Sequence, residues 1–168
     1  MAGRRKSQTS EVIGLDFSLF FEALGAHSAR ECAIIGVAYL EESLMSLLRT
    51  AFISGETSKG LFKEGGILGQ LSHCNKIAYC LGLIPEETLK NVDRMGSIRN
   101  IFAHNYRLTT FDSAEVREEC DNITIPKGMV MPDETRASIM DNPRSRFVHV
   151  AHHTALRLLL LADAKAED

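Results

Sequence analysis

The chain has 168 residues, of which 45% are apolar and 24% are charged, and its formal net charge is −3. This length and balance predict a single globular domain, and the net negative charge excludes a protein coated with cations for general nucleic-acid binding. Four cysteines without a Cys-x-x-Cys pair predict reduced thiols, and no apolar run reaches the ~20 residues that a membrane span requires. We therefore expect a cytoplasmic protein with no membrane contact, no bound metal and no cofactor.

The N-terminal part of the chain predicts a basic tail and a first helix. Residues 1–8 contain three cations among small polar residues, which is typical of a flexible, solvated tail, and a single helical domain is predicted over residues 9–168. Apolar residues recur at helical spacing from Ser10 to Leu24, and Gly25 follows them. The first helix is therefore predicted to end at that glycine.

The second predicted helix is the longest. Ser28 begins it, Glu31 three residues later completes a capping box, and the apolar repeat continues to about Ile53. We expect this helix to lie at the centre of a bundle because its apolar positions form one broad face. Those positions are Ile34, Ile35, Ala38, Leu44, Leu47 and Leu48.

The middle of the chain predicts a loop and two further helices. The glycine- and lysine-rich segment 55–66 predicts a docked loop, and residues 67–81 predict a third helix. Pro85 with two glutamates after it is typical of a helix start, and the pattern of this fourth helix reaches His104.

The C-terminal part predicts a short helix, a loop and a terminal helix. Asp112 or Ser113 caps the fifth predicted helix, which runs through Cys120, and segment 121–131 is predicted to be extended or looped. Pro143 starts the terminal helix. The whole pattern predicts an all-α, single-domain bundle of five to seven helices. The apolar positions of the terminal helix are Phe147, Val150, Ala151, Leu156, Leu159 and Leu160.

The hexapeptide Arg99-Asn100-Ile101-Phe102-Ala103-His104 is the one cluster that predicts chemistry. Asn100 and His104 are four residues apart and share a helix face, and Arg99 lies beside Asn100 at the edge of that face. A guanidinium binds phosphate or carboxylate through a charged fork, and an imidazole titrates near neutral pH. The three apolar residues between them are expected to anchor the element to the core.

A purely structural role for these side chains is the competing interpretation. An arginine and a histidine close together in a helix commonly pair with a neighbouring carboxylate. Glu41 or Glu42 of the long second helix is the natural acidic partner. The residues alone leave both interpretations open.

The Arg-x4-His spacing, with an asparagine after the arginine, resembles the signature of the HEPN superfamily, and Tyr106 extends it to a form found in HEPN toxins. This resemblance implies metal-independent cleavage of RNA. Arg99 would stabilise charge on the phosphate, Asn100 would orient the imidazole or bind a phosphate oxygen, and His104 would transfer protons. One histidine cannot easily serve as both acid and base, so a symmetric dimer is expected to supply the second. Tyr106 would lie at the rim, where related toxins are modified by adenylylation.

A broader set of motifs resembles the MltR family, which is named for the mannitol operon repressor. The motifs run from about residue 30 to residue 150, and the resemblance implies the same helical bundle with the same Arg/His element. It also implies a role in the control of gene expression through a homodimer and protein partners. The motifs are Ala38-Tyr39-Leu40-Glu41-Glu42, Lys76-Ile77-Ala78, Leu81-Gly82-Leu83-Ile84, Ile98-Arg99-Asn100, Phe102-Ala103-His104, Phe111-Asp112 and Cys120.

A repressor resemblance requires a search for a DNA-reading element, and segment 76–89 superficially resembles a helix-turn-helix. A recognition helix presents its first residues to bases and phosphates, but Glu86 and Glu87 occupy those positions here. Two carboxylates facing a polyanion oppose the attraction that supplies most of the binding energy. We therefore expect no sequence-specific DNA reading by this segment.

The function we expect is that of an MltR-like cytosolic regulatory protein that acts through dimerisation and protein partners. The alternative is an HEPN-type metal-independent ribonuclease, with RNA as its partner, that serves as the toxin of a toxin-antitoxin pair. A third interpretation is an interaction module in which Arg99 and His104 are structural. The sequence leaves open whether the protein is an enzyme.

Overall fold

The computed structural model describes Leu24 and residues 27–63, 65–105 and 108–166. The basic tail, the predicted first helix apart from Leu24, and Tyr106 lie outside these residues. Within them the chain forms seven helices and no strand, so the predicted all-α bundle is confirmed. No helix in these ranges has the length and apolarity that crossing a membrane requires. The helices are α1 (Ala29–Thr50), α2 (Glu56–Leu61), α3 (Leu71–Cys80), α4 (Glu86–His104), α5 (Ala114–Asp121), α6 (Asp133–Asp141) and α7 (Pro143–Ala166).

Helix α1 is the centre of the bundle, and α3, α4 and α7 pack against it. The predicted capping box forms at its start, where the Glu31 amide donates to Ser28 Oγ (3.3 Å) and the Ser28 amide donates to Glu31 Oε2 (3.0 Å). The buried face differs in part from the predicted one, because Ile34 is 40% exposed and Ala38 is exposed as well. These two form an i, i+4 row of their own that no described helix covers. The buried residues of α1 are Cys32, Ala33, Gly36, Val37, Leu40, Ser43, Leu44, Leu47 and Leu48.

Three aromatic rings join α4, the segment before α5, and α7. The centroids of the Phe102 and Phe111 rings are 5.1 Å apart, and those of the Phe111 and Phe147 rings are 5.4 Å apart. Phe147 also lies against α1, where a Cβ added to Gly36 would be 3.1 Å from Phe147 Cε1. The absence of a side chain at Gly36 therefore lets α1 and α7 approach closely.

The connection between α1 and α3 differs from its prediction. Segment 55–66, predicted as a loop, contains α2. The third helix begins at Leu71 and not at residue 67, because Gly66 and Gly69 pack tightly against backbone carbonyl groups. A side chain at Gly66 would clash with the carbonyl oxygen of Leu61, so this packing holds the segment before α3 in a loop.

Helix α6 forms in a part of the chain for which the sequence pattern predicts no helix. Residues 122–132 have no regular structure, in agreement with the prediction of an extended or looped segment, and α6 follows directly. It starts after Pro132 with two acidic residues, and it buries only Ile139. A helix with one buried residue has no apolar repeat that could predict it.

Two buried amides fix α4 to the rest of the bundle. Asn91 Nδ2 donates to the Thr124 carbonyl oxygen (2.7 Å), and the Thr124 amide donates to Asn91 Oδ1 (2.9 Å). Asn75 of α3 donates through Nδ2 to the Leu89 carbonyl oxygen (2.9 Å) and to Asp93 Oδ1 (2.8 Å). These hydrogen bonds hold the helix that carries the predicted site at a set position against α3 and the segment after α5.

Candidate functional site

Arg99 and Asn100, in the C-terminal half of α4, lie on the wall of a cavity of about 640 Å³ that α1, α3 and α4 enclose. Asn100 is exposed, and Arg99 is half-buried. The Arg99 Nε is fully buried and has no hydrogen-bond partner among the described residues. A buried donor without an acceptor costs free energy, so Arg99 lacks the full set of hydrogen bonds within the described part of the chain that a purely structural role would give it.

The wall of the cavity is mostly polar and carries both signs of charge. Glu41 of α1, Lys76 of α3 and Arg99 make no hydrogen bond or ion pair with another residue in the described part of the chain. Asp93 is already engaged, because its Oδ1 accepts from Asn75 Nδ2 at 2.8 Å. The other polar side chains on the wall are Gln70, Ser72, Ser97 and Asn100.

The start of α3 opens into the same cavity. Its N-cap residue, Gln70, makes no side-chain capping hydrogen bond, so the first turn keeps free amide donors and the positive end of the helix dipole. On the facing wall, Gly96 leaves α4 without a side chain. A Cβ at that position would lie 3.5 Å from Leu71 Cδ2, which is an ordinary contact distance, so the glycine keeps space open without being required by packing.

His104 does not line this cavity. It is the last residue of α4 and is exposed, and the Asn105 amide after it still donates to the Ile101 carbonyl oxygen (3.1 Å). Five residues turn a helix by about 140°, so the His104 imidazole and the Arg99 guanidinium leave α4 on different sides. Asn100 and His104 do share an exposed face, as predicted from their spacing. The structure therefore groups Arg99 with Asn100, and Asn100 with His104, but it does not bring all three to one cavity.

The two glutamates predicted as acidic partners have different surroundings. Glu41 lines the cavity with Arg99 but forms no ion pair with it, and Glu42 pairs instead with Arg49 (3.2 Å). The apolar part of the hexapeptide anchors it through Phe102, which is fully buried, whereas Ala103 is exposed.

A second concave surface, which we call the Phe52–Phe62 groove, lies between the end of α1 and α2. The two rings meet edge to face with centroids 5.6 Å apart, and the Arg49 guanidinium lies over the Phe62 ring at 5.3 Å. The groove has a volume of about 440 Å³, and no acidic side chain of the described residues lines it. Ile53 is 92% exposed on the adjoining surface. The remaining cations of the groove are Lys59 and Lys63.

Similarity to known proteins is found at the level of the fold. No protein family model matches the chain, and no curated protein sequence matches it. A chain in the X-ray structure of the MtlR–HPr complex from Escherichia coli matches with a TM-score of 0.63 and 20% sequence identity. The match covers 85% of this chain and 98% of that one. The chain has the fold of MtlR.

The MtlR fold confirms, at the level of the architecture, the predicted resemblance to the MltR family. The packing of its helices also shows which residues of the site could not be predicted from the sequence. Arg99, Asn100, Glu41 and Lys76 stand in the quoted motifs, but only the packing of three helices brings them together. Asp93 and the uncapped start of α3 stand in none of those motifs. One signal for Asp93 is present in the sequence. It precedes Asn100 by seven residues, a spacing that places two residues on the same helix face.

Proposed function

We propose that this protein is a regulatory protein that controls gene expression by binding a protein partner, and that it acts as a homodimer without reading DNA itself. The observation that supports partner binding is the fold shared with MtlR, whose structure was determined in complex with HPr. The surface of this chain supports the same proposal, because it offers a concave and partly apolar groove of the kind that protein partners fill.

The Phe52–Phe62 groove is the surface we assign to the partner. Ile53 exposes nearly its whole side chain beside Phe52, and a large apolar side chain left in water on the rim of a groove is typical of an interaction site. Arg49 pairs with Glu42 (3.2 Å) and Lys59 with Glu56 (2.8 Å) beside the groove, so the partner is expected to present mainly apolar side chains, with a carboxylate near Lys63.

Isothermal titration calorimetry with purified Escherichia coli HPr tests this proposal. The unmodified protein is expected to bind HPr, and Ile53→Asp is expected to weaken binding by at least about tenfold, because the contact would lose a large apolar side chain and would desolvate a carboxylate at the rim of the groove. Leu108→Asp is the matched control, since Leu108 is fully exposed and lies outside the groove. This control is expected to bind HPr as the unmodified protein does.

Each arm of this experiment can contradict part of the proposal. If the unmodified protein does not bind HPr, HPr is not the partner. If Ile53→Asp and Leu108→Asp weaken binding equally, the groove is not the docking surface.

The proposed absence of DNA reading is supported by the start of α4. Glu86 is exposed and pairs with Lys90 (2.8 Å), and Glu87 follows in the same first turn, so the helix presents carboxylates where a recognition helix needs donors. A mobility-shift titration with duplex DNA is expected to show no sequence-dependent binding. Light scattering after gel filtration is expected to give about twice the chain mass of 18.6 kDa, and a single-chain mass would contradict the homodimer.

Metal-independent cleavage of RNA is the second candidate function, and the exposed face shared by Asn100 and His104 favours it, because a polymer could reach both side chains. The test is incubation with total cellular RNA in the presence of a metal chelator. If the protein is a ribonuclease of this kind, the unmodified protein cleaves RNA and His104→Ala does not. His73→Ala, which removes an exposed histidine of α3, is the control and retains the activity. If the dimeric unmodified protein leaves RNA intact, this candidate function is removed.

A further inference from the structure

The described wall of the cavity between α1, α3 and α4 carries two cations and two carboxylates, and the cations form no ion pair with them. Lys76 and Arg99 have no carboxylate partner in the described part of the chain, and the start of α3 adds uncapped amide donors. Both carboxylates on the described wall keep their charge, since Asp93 accepts only from the neutral Asn75 amide, and neither Asp93 nor Glu41 forms an ion pair with Lys76 or Arg99. The wall therefore favours a ligand with an anionic group.

The Arg99 guanidinium, on the wall of the cavity, indicates where that anionic group binds. Its Nε lies out of reach of water and has no acceptor among the described residues. A phosphate or carboxylate in the cavity would instead accept from the terminal nitrogens of the guanidinium, in the fork geometry that arginine presents. Gly96, three residues earlier and therefore on the same side of α4, has no side chain and leaves room for such a group.

The rest of the wall indicates hydroxyl groups on the ligand. Gln70, Ser72, Ser97 and Asn100 each offer both donors and acceptors, and Glu41 adds a strong acceptor. None of the described residues that line the cavity is aromatic, so they offer a nucleobase no stacking surface. Leu71 and Val92 are the only large apolar side chains that the described part of the wall contributes, so it offers an alkyl chain little apolar area.

We infer that this cavity binds a small polyhydroxy anion, either a sugar phosphate or a sugar acid, with its anionic group on Arg99 and its hydroxyl groups toward Glu41 and the neutral polar side chains. The volume of about 640 Å³ lies within the range of small-molecule sites. The inference does not depend on the proposed protein partner, because no described residue lines both the cavity and the Phe52–Phe62 groove. It adds a small-molecule ligand to the proposed regulatory protein.

Isothermal titration calorimetry at constant ionic strength tests the inference. The probes are glucose 6-phosphate, a sugar phosphate, and gluconate, a sugar acid. Glucose and inorganic phosphate are the controls, because they are the two halves of glucose 6-phosphate. At least one acid is expected to bind, and to bind at least about tenfold more tightly than either half, because hydroxyl contacts and the charge-assisted contact act together. If neither acid binds more tightly than glucose or inorganic phosphate, the inference is overturned.

Variants on α3 and α4 locate the binding. Arg99→Gln is expected to weaken binding of the acid by at least about tenfold. Lys76→Gln is expected to weaken it by about threefold, and this change of an exposed side chain leaves folding unaffected. Arg94→Gln is the control, because Arg94 is on the same helix but pairs with Glu119 (3.0 Å) outside the cavity. Equal weakening by Arg94→Gln would reveal a general charge effect and overturn the assignment. An RNA oligonucleotide that binds while both acids fail would assign the cavity to RNA, which also overturns it.

Discussion

At the residue scale, Arg146 is a cation that the fold buries almost completely. It is 5% exposed, and its guanidinium donates to the carbonyl oxygens of Cys120 (3.0 Å) and Met140 and pairs with Asp121 (3.1 Å). These acceptors lie at the C-terminal ends of α5 and α6, where carbonyl groups lack helical partners and partial negative charge collects. One side chain at the start of α7 thus ties three helices together.

Replacing this arginine is expected to be costly. Arg146→Met should lower the free energy of unfolding by about 3 kcal/mol, because it leaves the two helix ends without their buried donor. Arg94→Met is the matched control: it removes an arginine whose ion pair with Glu119 is solvent-exposed, and it should cost less than about 1 kcal/mol. Urea unfolding of both variants gives the comparison, and equal costs would mean that Arg146 stabilises no more than a surface ion pair.

Residue identities at the candidate site could be predicted from the sequence, but their grouping could not. The hexapeptide predicts that Arg99 and Asn100 are functional polar residues on α4, and both line the cavity. His104 belongs to the same motif, yet the turn of the helix directs it elsewhere. Glu41 and Lys76 come from other helices, and no local spacing relates them to α4. Such groupings depend on tertiary packing, which a motif does not contain.

At the scale of elements, the contact of α1 with α7 depends on a glycine. Gly36→Ala is expected to lower the free energy of unfolding by about 1 kcal/mol, because Phe147 is fully buried against Phe111 and overpacking outweighs the gain in helix propensity. Gly60→Ala in α2 is the control, since a Cβ there would meet nothing within 4 Å, and it should raise stability by up to about 1 kcal/mol. The midpoint of thermal unfolding should therefore fall for Gly36→Ala and rise for Gly60→Ala. A higher midpoint for Gly36→Ala would contradict the close approach of α1 and α7.

Helix α7 is also expected to make stability depend on pH. Burial lowers the pKa of His152 below its ordinary value of 6.5, with a smaller effect from His149 and His153, and burial together with Arg157 lowers the pKa of His153 against an opposing effect of Glu87. The unfolded chain therefore binds more protons below about pH 6.5, so stability is full above that value and is lost as the pH falls through the folded pKa values.

Urea unfolding at about pH 7.5, 6.5 and 5.5 measures this dependence. The free energy of unfolding should fall toward pH 5.5, and the double variant His152→Gln/His153→Gln should show a smaller fall over the same range. An unchanged slope in the double variant would assign the pH dependence to other groups.

Elements with strong local signals could be predicted, and those formed by packing could not. Ser28 with Glu31, and Pro85 with its glutamates, predict the starts of α1 and α4 because capping chemistry is local. Helix α6 buries a single residue, and segment 65–70 is held in a loop by close backbone contacts. Neither leaves a periodic pattern in the sequence.

At the scale of the whole molecule, the four free cysteines report on the integrity of the core. Cys32, Cys74 and Cys120 are buried and Cys80 is exposed, and burial raises the pKa of Cys74 to about 11 and that of Cys120 to about 12. A thiol held protonated and out of solvent does not attack a disulfide reagent. Labelling with Ellman's reagent should therefore show one fast thiol per native chain, and Cys80→Ser should abolish that phase. Several fast thiols in the native protein would contradict the packed core.

The pairing of α1 with α7 also governs how the protein is made. Residues 51–142 lie between these helices, and a ribosome adds them in roughly 5–20 seconds at about 5–20 residues per second. Until α7 has left the exit tunnel, the side of α1 around Gly36 lacks its contact with Phe147, and the nascent chain leaves part of an apolar stripe exposed to solvent. Chaperone occupancy of nascent chains should accordingly rise once α1 emerges and fall when α7 follows.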